Sequence, residues 1–135
     1  MLQKICDYLS QNSDNCDWVG YYLVDPASPR ELVLGPFSGE PTEHRRIPFG
    51  EGICGQAAQT ERTFVVDDVE KEDNYLSCSP EVRSEIVVPV FHEGILAGEL
   101  DVDSHQESAF SDKHRAFLEW VADATSALVS RLARS

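Results

Sequence analysis

The stretch from Glu85 to Asp103 constrains the fold of this chain more than any other. Glu85-Ile-Val-Val-Pro-Val-Phe91 and Gly94-Ile-Leu-Ala-Gly-Glu-Leu-Asp-Val-Asp103 are rich in β-branched residues and flank His92-Glu93-Gly94. They read as a hairpin in the middle of a sheet. On the second strand, period-2 alternation puts Leu96, Gly98, Leu100 and Val102 on one face, and Ala97, Glu99, Asp101 and Asp103 on the other. The first face is suited to packing against helices. The second aligns up to three carboxylates in a column, which either meets water or walls a pocket for a cation, such as a substrate ammonium group or a metal. Crowded carboxylates raise one another's pKa values, so one of them can carry a proton.

Around this hairpin the pattern predicts an α+β chain. Residues 2–10 place Leu2, Ile5, Cys6 and Leu9 at helical spacing. Trp18-Val-Gly-Tyr-Tyr-Leu-Val24 reads as a strand, Asp25 to Pro29 as a turn, and Glu31 to Gly35 as the partner strand. Gly50-Glu-Gly52 can turn the chain and open a helix over 52–60, with Cys54 in its first turn. Thr63 to Val66 is a short strand. Asp67 to about Pro80 reads as a long surface loop, a feature often tied to function. From Ser111, a candidate N-cap, one helix follows, with Phe117, Val121, Ala124, Leu128 and Leu132 as its apolar stripe. Helices packed on one face of a mostly antiparallel sheet fit this order. A length of 135 residues suits one domain, 1–135.

Charge narrows the partners. The 24 acids against 11 bases leave a net charge of −13, which opposes binding to nucleic acid or anionic membrane. No apolar run approaches the roughly 20 residues of a membrane helix, and no secretory signal is visible, so a cytoplasmic location is expected. In that compartment paired cysteines point to redox chemistry or metal rather than structural bridges. Cysteines occur at 6, 16, 54 and 78 without Cys-x-x-Cys spacing, which argues against a structural zinc site. Cys6 lies on a helix stripe and Cys16 precedes a strand, both packing positions. Cys54, near a helix N-terminus, is either a small packing residue or an activated thiolate. Cys78 sits in a polar loop outside any apolar pattern, with Arg83 nearby to stabilise a thiolate. His92 reads as a turn residue and His114 as a helix-surface one.

Several motifs together resemble a known family. Trp18-Val-Gly-Tyr-Tyr-Leu, Leu34-Gly-Pro-Phe-Ser-Gly39, Arg46-Ile-Pro-Phe-Gly-Glu-Gly-Ile-Cys54-Gly, Ser84-Glu-Ile-Val-Val-Pro89 and Leu100-Asp-Val-Asp-Ser104 are similar to the free methionine-(R)-sulfoxide reductases, small stand-alone GAF-domain enzymes. The resemblance implies a six-stranded antiparallel sheet with helices on one face and a ligand pocket on the other. It implies Cys78 as nucleophile in the loop over the pocket, and Glu85, Asp101 and Asp103 as the acids that hold the substrate and handle its proton. Trp18 and Tyr22 would contribute to the pocket, and a homodimer would fit. Where the family usually has a resolving cysteine, ten residues before Cys54, this chain has His44.

The expected function is thiol-dependent reduction of free L-methionine-(R)-S-oxide. Cys78 would become a sulfenic acid, Cys54 would be the best internal resolving thiol, and a thioredoxin-type reductant would restore the dithiol, with no metal or organic cofactor. A non-enzymatic GAF sensor for a small ligand, or a thiol redox switch, is the alternative.

Overall fold

A computed structural model describes residues 1–77 and 79–135; Cys78, the expected nucleophile, lies outside the described residues. Six strands form one sheet in the order β3 (Arg46–Pro48), β2 (Ser28–Ser38), β1 (Trp18–Asp25), β6 (Ile95–Ser104), β5 (Ser84–His92), β4 (Phe64–Val66). All neighbouring strands are antiparallel. The predicted hairpin is β5–β6. Its turn uses Glu93 at φ 54° and Gly94 at φ 80°, the left-handed pair that two-residue hairpins favour. The β1–β6 pairing at the centre joins strands some 80 residues apart, and both are covered on both faces.

Helices α1 (Leu2–Asn12), α3 (Asp112–Ala124) and α4 (Ser126–Ala133) cover one face. They bury Leu2, Cys6, Leu9, Leu118, Val121 and Val129 against Val19, Tyr21, Leu100 and Val102. Helix α2 (Gly52–Thr60) lies on the opposite face, where Ile53, Ala57 and Ala58 meet Tyr22, Leu32 and Val87. The layer of helices is therefore one-sided except for α2, and α2 shapes the functional face.

Three local expectations are corrected. Strand β2 runs from Ser28 to Ser38, longer than the 31–35 read from its apolar residues, and β3 was not anticipated. Three residues are too few to show alternation, and β3 is held by pairing Arg46, Ile47 and Pro48 with Val33, Leu32 and Glu31. In β6, Val90 pairs with Gly98 and Phe91 with Leu96, so Ala97 is an extra, bulged residue. The bulge reverses the predicted sides of the strand's first residues: Ala97 packs with the helices and Leu96 with the α2 face. From Glu99 onward the alternation holds.

The C-terminal helix is also not continuous. Thr125 separates α3 from α4. Its buried hydroxyl donates to Val121 O at 2.8 Å and pairs with Tyr21 Oη at 3.0 Å, a back-bond of the kind that bends helices. The buried stripe is Leu118, Val121, Ala122, Thr125 and Val129, while Phe117 and Leu132 are 48% and 38% exposed. Spacing alone favoured the larger Phe117 over its neighbour Leu118. Ser111 caps α3 as expected, and His114 completes the capping box.

Candidate active site

The site grows from the register of three strands. Glu85 pairs with Asp103, Val87 with Asp101 and Pro89 with Glu99 across β5–β6, and Trp18, Gly20 and Tyr22 face Asp103, Asp101 and Glu99 across β1–β6. Paired residues in a sheet share a face, so one surface collects four carboxylates with an aromatic border. A solvated column is ruled out: Glu99, Asp101 and Asp103 are 0%, 3% and 2% exposed, and Glu85 is buried with them. Gly20 makes room for the border. A Cβ there would strike the Trp18 ring and approach Phe37 Cβ to 2.9 Å. Trp18 stacks on Phe37 at 5.6 Å and donates from Nε1 to Glu40 O at 3.0 Å. Tyr22 donates from its hydroxyl to His44 O at 2.8 Å.

Helix α2 brings the thiol. Its first residue, Gly52, has φ 66°, which glycine adopts without strain. Two residues on, Cys54 is buried, and its Sγ donates to Asp101 Oδ2 at 3.3 Å. Glu51 makes no side-chain cap for α2. Asn74, from the loop, takes that role: its Oδ1 accepts from Gly52 N at 2.8 Å, and its Nδ2 donates to Gly50 O at 2.7 Å. Gln56 Nε2 donates to Asn74 O at 2.9 Å. The loop between β4 and β5, with a 3-10 turn at Val69–Lys71, is thus fastened to α2. His44 supplies a second tie, through Nε2 to Ser77 O at 2.9 Å; a carbonyl only accepts, so Nε2 carries the proton.

Burial and mutual proximity set the protonation. Burial comes first in raising Glu85, followed by Asp101 and Asp103. Glu99 and Asp103 are pushed well up by burial and then by Asp101. Asp101 is raised by burial too, while hydrogen bonds from Glu85 and Cys54 oppose the rise. Cys54 is raised well above an ordinary thiol by burial and then by Asp101, Glu85, Glu99 and Asp103. The helix N-terminus does not overcome them, and Cys54 rests as a thiol rather than the thiolate its helix position suggested.

Among the described residues, both Glu99 carboxyl oxygens, Asp101 Oδ1 and Asp103 Oδ1 are buried without a hydrogen-bond partner. Buried acceptors of this kind are costly unless a donor arrives. A small, partly open cavity, with room for about one water molecule, separates Tyr22, His44, Cys54, Leu76, Glu85 and Asp101. A further cleft lies between Trp18, Ser79, Val82 and Asp103.

The fold therefore brings Cys54, Glu85, Asp101, Asp103 and Tyr22 together, with Trp18 at the border. Arg83, expected near the Cys78 thiolate, is paired through Nη2 with Glu107 at 3.6 Å. Cys6 and Cys16 are buried away from the acids, in the helix-face core, and burial lifts the Cys6 thiol to about 12. Sequence reasoning missed Asn74, which no local pattern marks. It left Glu99 out of the site, although the period-2 column contained it.

The sequence profile of the GAF domain matches residues 1–130. The fold superimposes on a type II free methionine-R-sulfoxide reductase from Thermoplasma acidophilum with a TM-score of 0.91. The two are 38% identical, over 96% of this chain and 90% of that one. This chain belongs to the GAF-domain family of free methionine-R-sulfoxide reductases. A second member, from Neisseria meningitidis and solved in complex with its substrate, is 40% identical with a TM-score of 0.89, covering 98% of this chain and 78% of that one. The free methionine-R-sulfoxide reductase of Saccharomyces cerevisiae is 37% identical over 78% of this chain and 59% of its own length. The chain spans between 44% and 64% of the length of the curated relatives it matches. Among the described residues no helix is long and apolar enough to cross a membrane.

Proposed function

We propose that this protein reduces free L-methionine-(R)-S-oxide to L-methionine, with Cys78 as nucleophile. The observation that carries this reading is the buried row of Glu85, Asp101 and Asp103 beside the Cys54 thiol, in which Asp101 Oδ1 and Asp103 Oδ1 have no hydrogen-bond partner among the described residues. A free amino acid brings an ammonium group that satisfies such oxygens. A methionine within a protein chain has none, which accounts for selection of the free form. The substrate complex of the Neisseria meningitidis relative supports the same ligand class.

In the proposed reaction the Cys78 thiolate attacks the sulfoxide sulfur. A protonated carboxyl among Glu85, Asp101 and Asp103 delivers its proton to the sulfoxide oxygen as the S–O bond breaks. The hydroxide so released attacks the Cys78 sulfur and breaks the new S–S bond, so Cys78 is left as a sulfenic acid and methionine leaves with the bonding pair. Cys54 then gives its proton to Asp101 and attacks the sulfenic sulfur. A disulfide forms and hydroxide departs, taking up that proton as water. A thioredoxin-type dithiol returns two electrons by exchange.

The test is incubation with dithiothreitol and racemic methionine sulfoxide, following each epimer by chiral chromatography. Loss of the R epimer alone, with N-acetylmethionine sulfoxide untouched, is expected. Turnover of neither epimer would leave the sensor reading, in which the acids bind an amino-acid-like ligand without chemistry.

A further inference from the structure

We infer that Cys54, Glu85 and Asp101 form a binding site for a thiophilic divalent cation of zinc's class, and that this ion and the amino-acid substrate exclude each other. One ligand atom from each residue, a sulfur and two carboxylate oxygens, lies within 4.8 Å of the others, and all three residues are buried. Zinc bonds of about 2.0–2.3 Å place tetrahedral ligands roughly 3.3–3.8 Å apart. Cys54 Sγ and Asp101 Oδ2 already stand at 3.3 Å, so small side-chain rotations complete the set. Three protein ligands leave a fourth position for water.

The second observation is the orphaned oxygen shell. Asp101 Oδ1, itself in the triad, has no hydrogen-bond partner among the described residues, nor do the Glu99 oxygens or Asp103 Oδ1 beside it. Among the described residues no Lys or Arg side chain forms an ion pair with any of these acids. A sulfur with two carboxylates suits zinc, cobalt or cadmium better than magnesium or calcium, whose ligands are all oxygen. On binding, the proton of the Cys54 thiol and the proton held by Glu85 are released to solvent, and the ion's charge takes their place. The ligands come from α2, β5 and β6, so no close spacing in the sequence marks them.

The exclusion half rests on the proposed function, because it assigns Glu85 and Asp101 to the substrate's ammonium group. The ion would then also hold Cys54 away from disulfide formation. Reduced, chelator-treated protein is titrated anaerobically with Co²⁺, reading the thiolate-to-cobalt charge-transfer absorption. One equivalent should bind. Cys54→Ser should abolish the band, while Cys6→Ser and Cys16→Ser keep it. Glu85→Gln and Asp101→Asn should each weaken Co²⁺ by about tenfold or more, with unchanged circular dichroism as the folding control. No band, or a band that survives in Cys54→Ser, overturns the site. Racemic methionine sulfoxide added to cobalt-loaded Cys78→Ser should bleach the band. A band that persists, in a protein whose wild type turns over the R epimer, overturns the exclusion. Cobalt binding without any turnover keeps the metal site and defeats the proposed function.

Discussion

Cys54 and Asp101 show how placement decides the chemistry of a residue. The thiol is in a helix's first turn, yet four buried acids and desolvation keep its proton on. Cys54→Ser should therefore retain most dithiothreitol-driven reduction, because an unactivated thiol is unsuited to the first attack. Cys78→Ser should abolish it even in excess dithiothreitol. Full activity in Cys78→Ser, measured with the R epimer, would remove Cys78 from the reaction. Asp101→Asn and Asp103→Asn should each lower kcat/KM by about tenfold or more, since a charge-assisted contact contributes roughly 1.5–3 kcal/mol. The amide keeps the carboxylate's shape, so the fold should be preserved. Unchanged kinetics in both variants would disconnect this row from the substrate.

Asn74 acts at the scale of elements. It caps α2 from across the fold and ties the β4–β5 loop to the helix that carries Cys54. Asn74→Ala should cost about 0.5–2 kcal/mol, the usual range for a lost N-cap, read from chemical denaturation. The loop should also become more sensitive to limited proteolysis near residues 72–77. Unaltered proteolysis would show that the tie is not what holds the loop. His44 spans the same gap through Ser77 O, at the position where the resemblance read from the sequence implies a resolving cysteine. His44→Cys should accelerate thioredoxin-dependent turnover in a coupled assay if a thiol there reaches the sulfenic acid. An unchanged rate would place the resolving thiol elsewhere.

Across the whole molecule, the acid cluster ties stability to pH with an unusual sign. Glu85, Glu99, Asp101 and Asp103 all have folded-state pKa values raised above ordinary values of 4.5 for Glu and 3.8 for Asp. The folded state holds these protons more tightly than the unfolded chain. The stability this gives is fully present below the unfolded values and is lost as pH rises through the raised ones. The substrate-free protein should thus unfold at higher urea concentration at pH 5.5 than at pH 8. The net charge of −13 adds repulsion in the same direction, so Glu99→Gln isolates the buried contribution. That variant should be the more stable at pH 8 by roughly 1–3 kcal/mol and should show a shallower pH slope. A slope equal to wild type would mean that Glu99 does not hold its proton.

The alternation of apolar and polar residues determined most of the frame: the β5–β6 hairpin, β1, α1, α2 and the acid column are all legible locally. Side-chain period is a property of the strand itself, so Glu99, Asp101 and Asp103 share a face in any fold that keeps the strand. The thiol and acid motifs marked the family by the same local route. Whether the column meets water or a pocket was not a local property. It was settled when the long-range β1–β6 pairing and α2 closed over that face, removing solvent from four carboxylates at once. The bulge at Ala97, the break at Thr125 and the cap from Asn74 were decided in the same way. The break and the cap depend on partners distant in sequence, Tyr21 and Gly52, that exist beside them only after the chain has packed, and the bulge depends on the register that Val90 and Phe91 take within the hairpin.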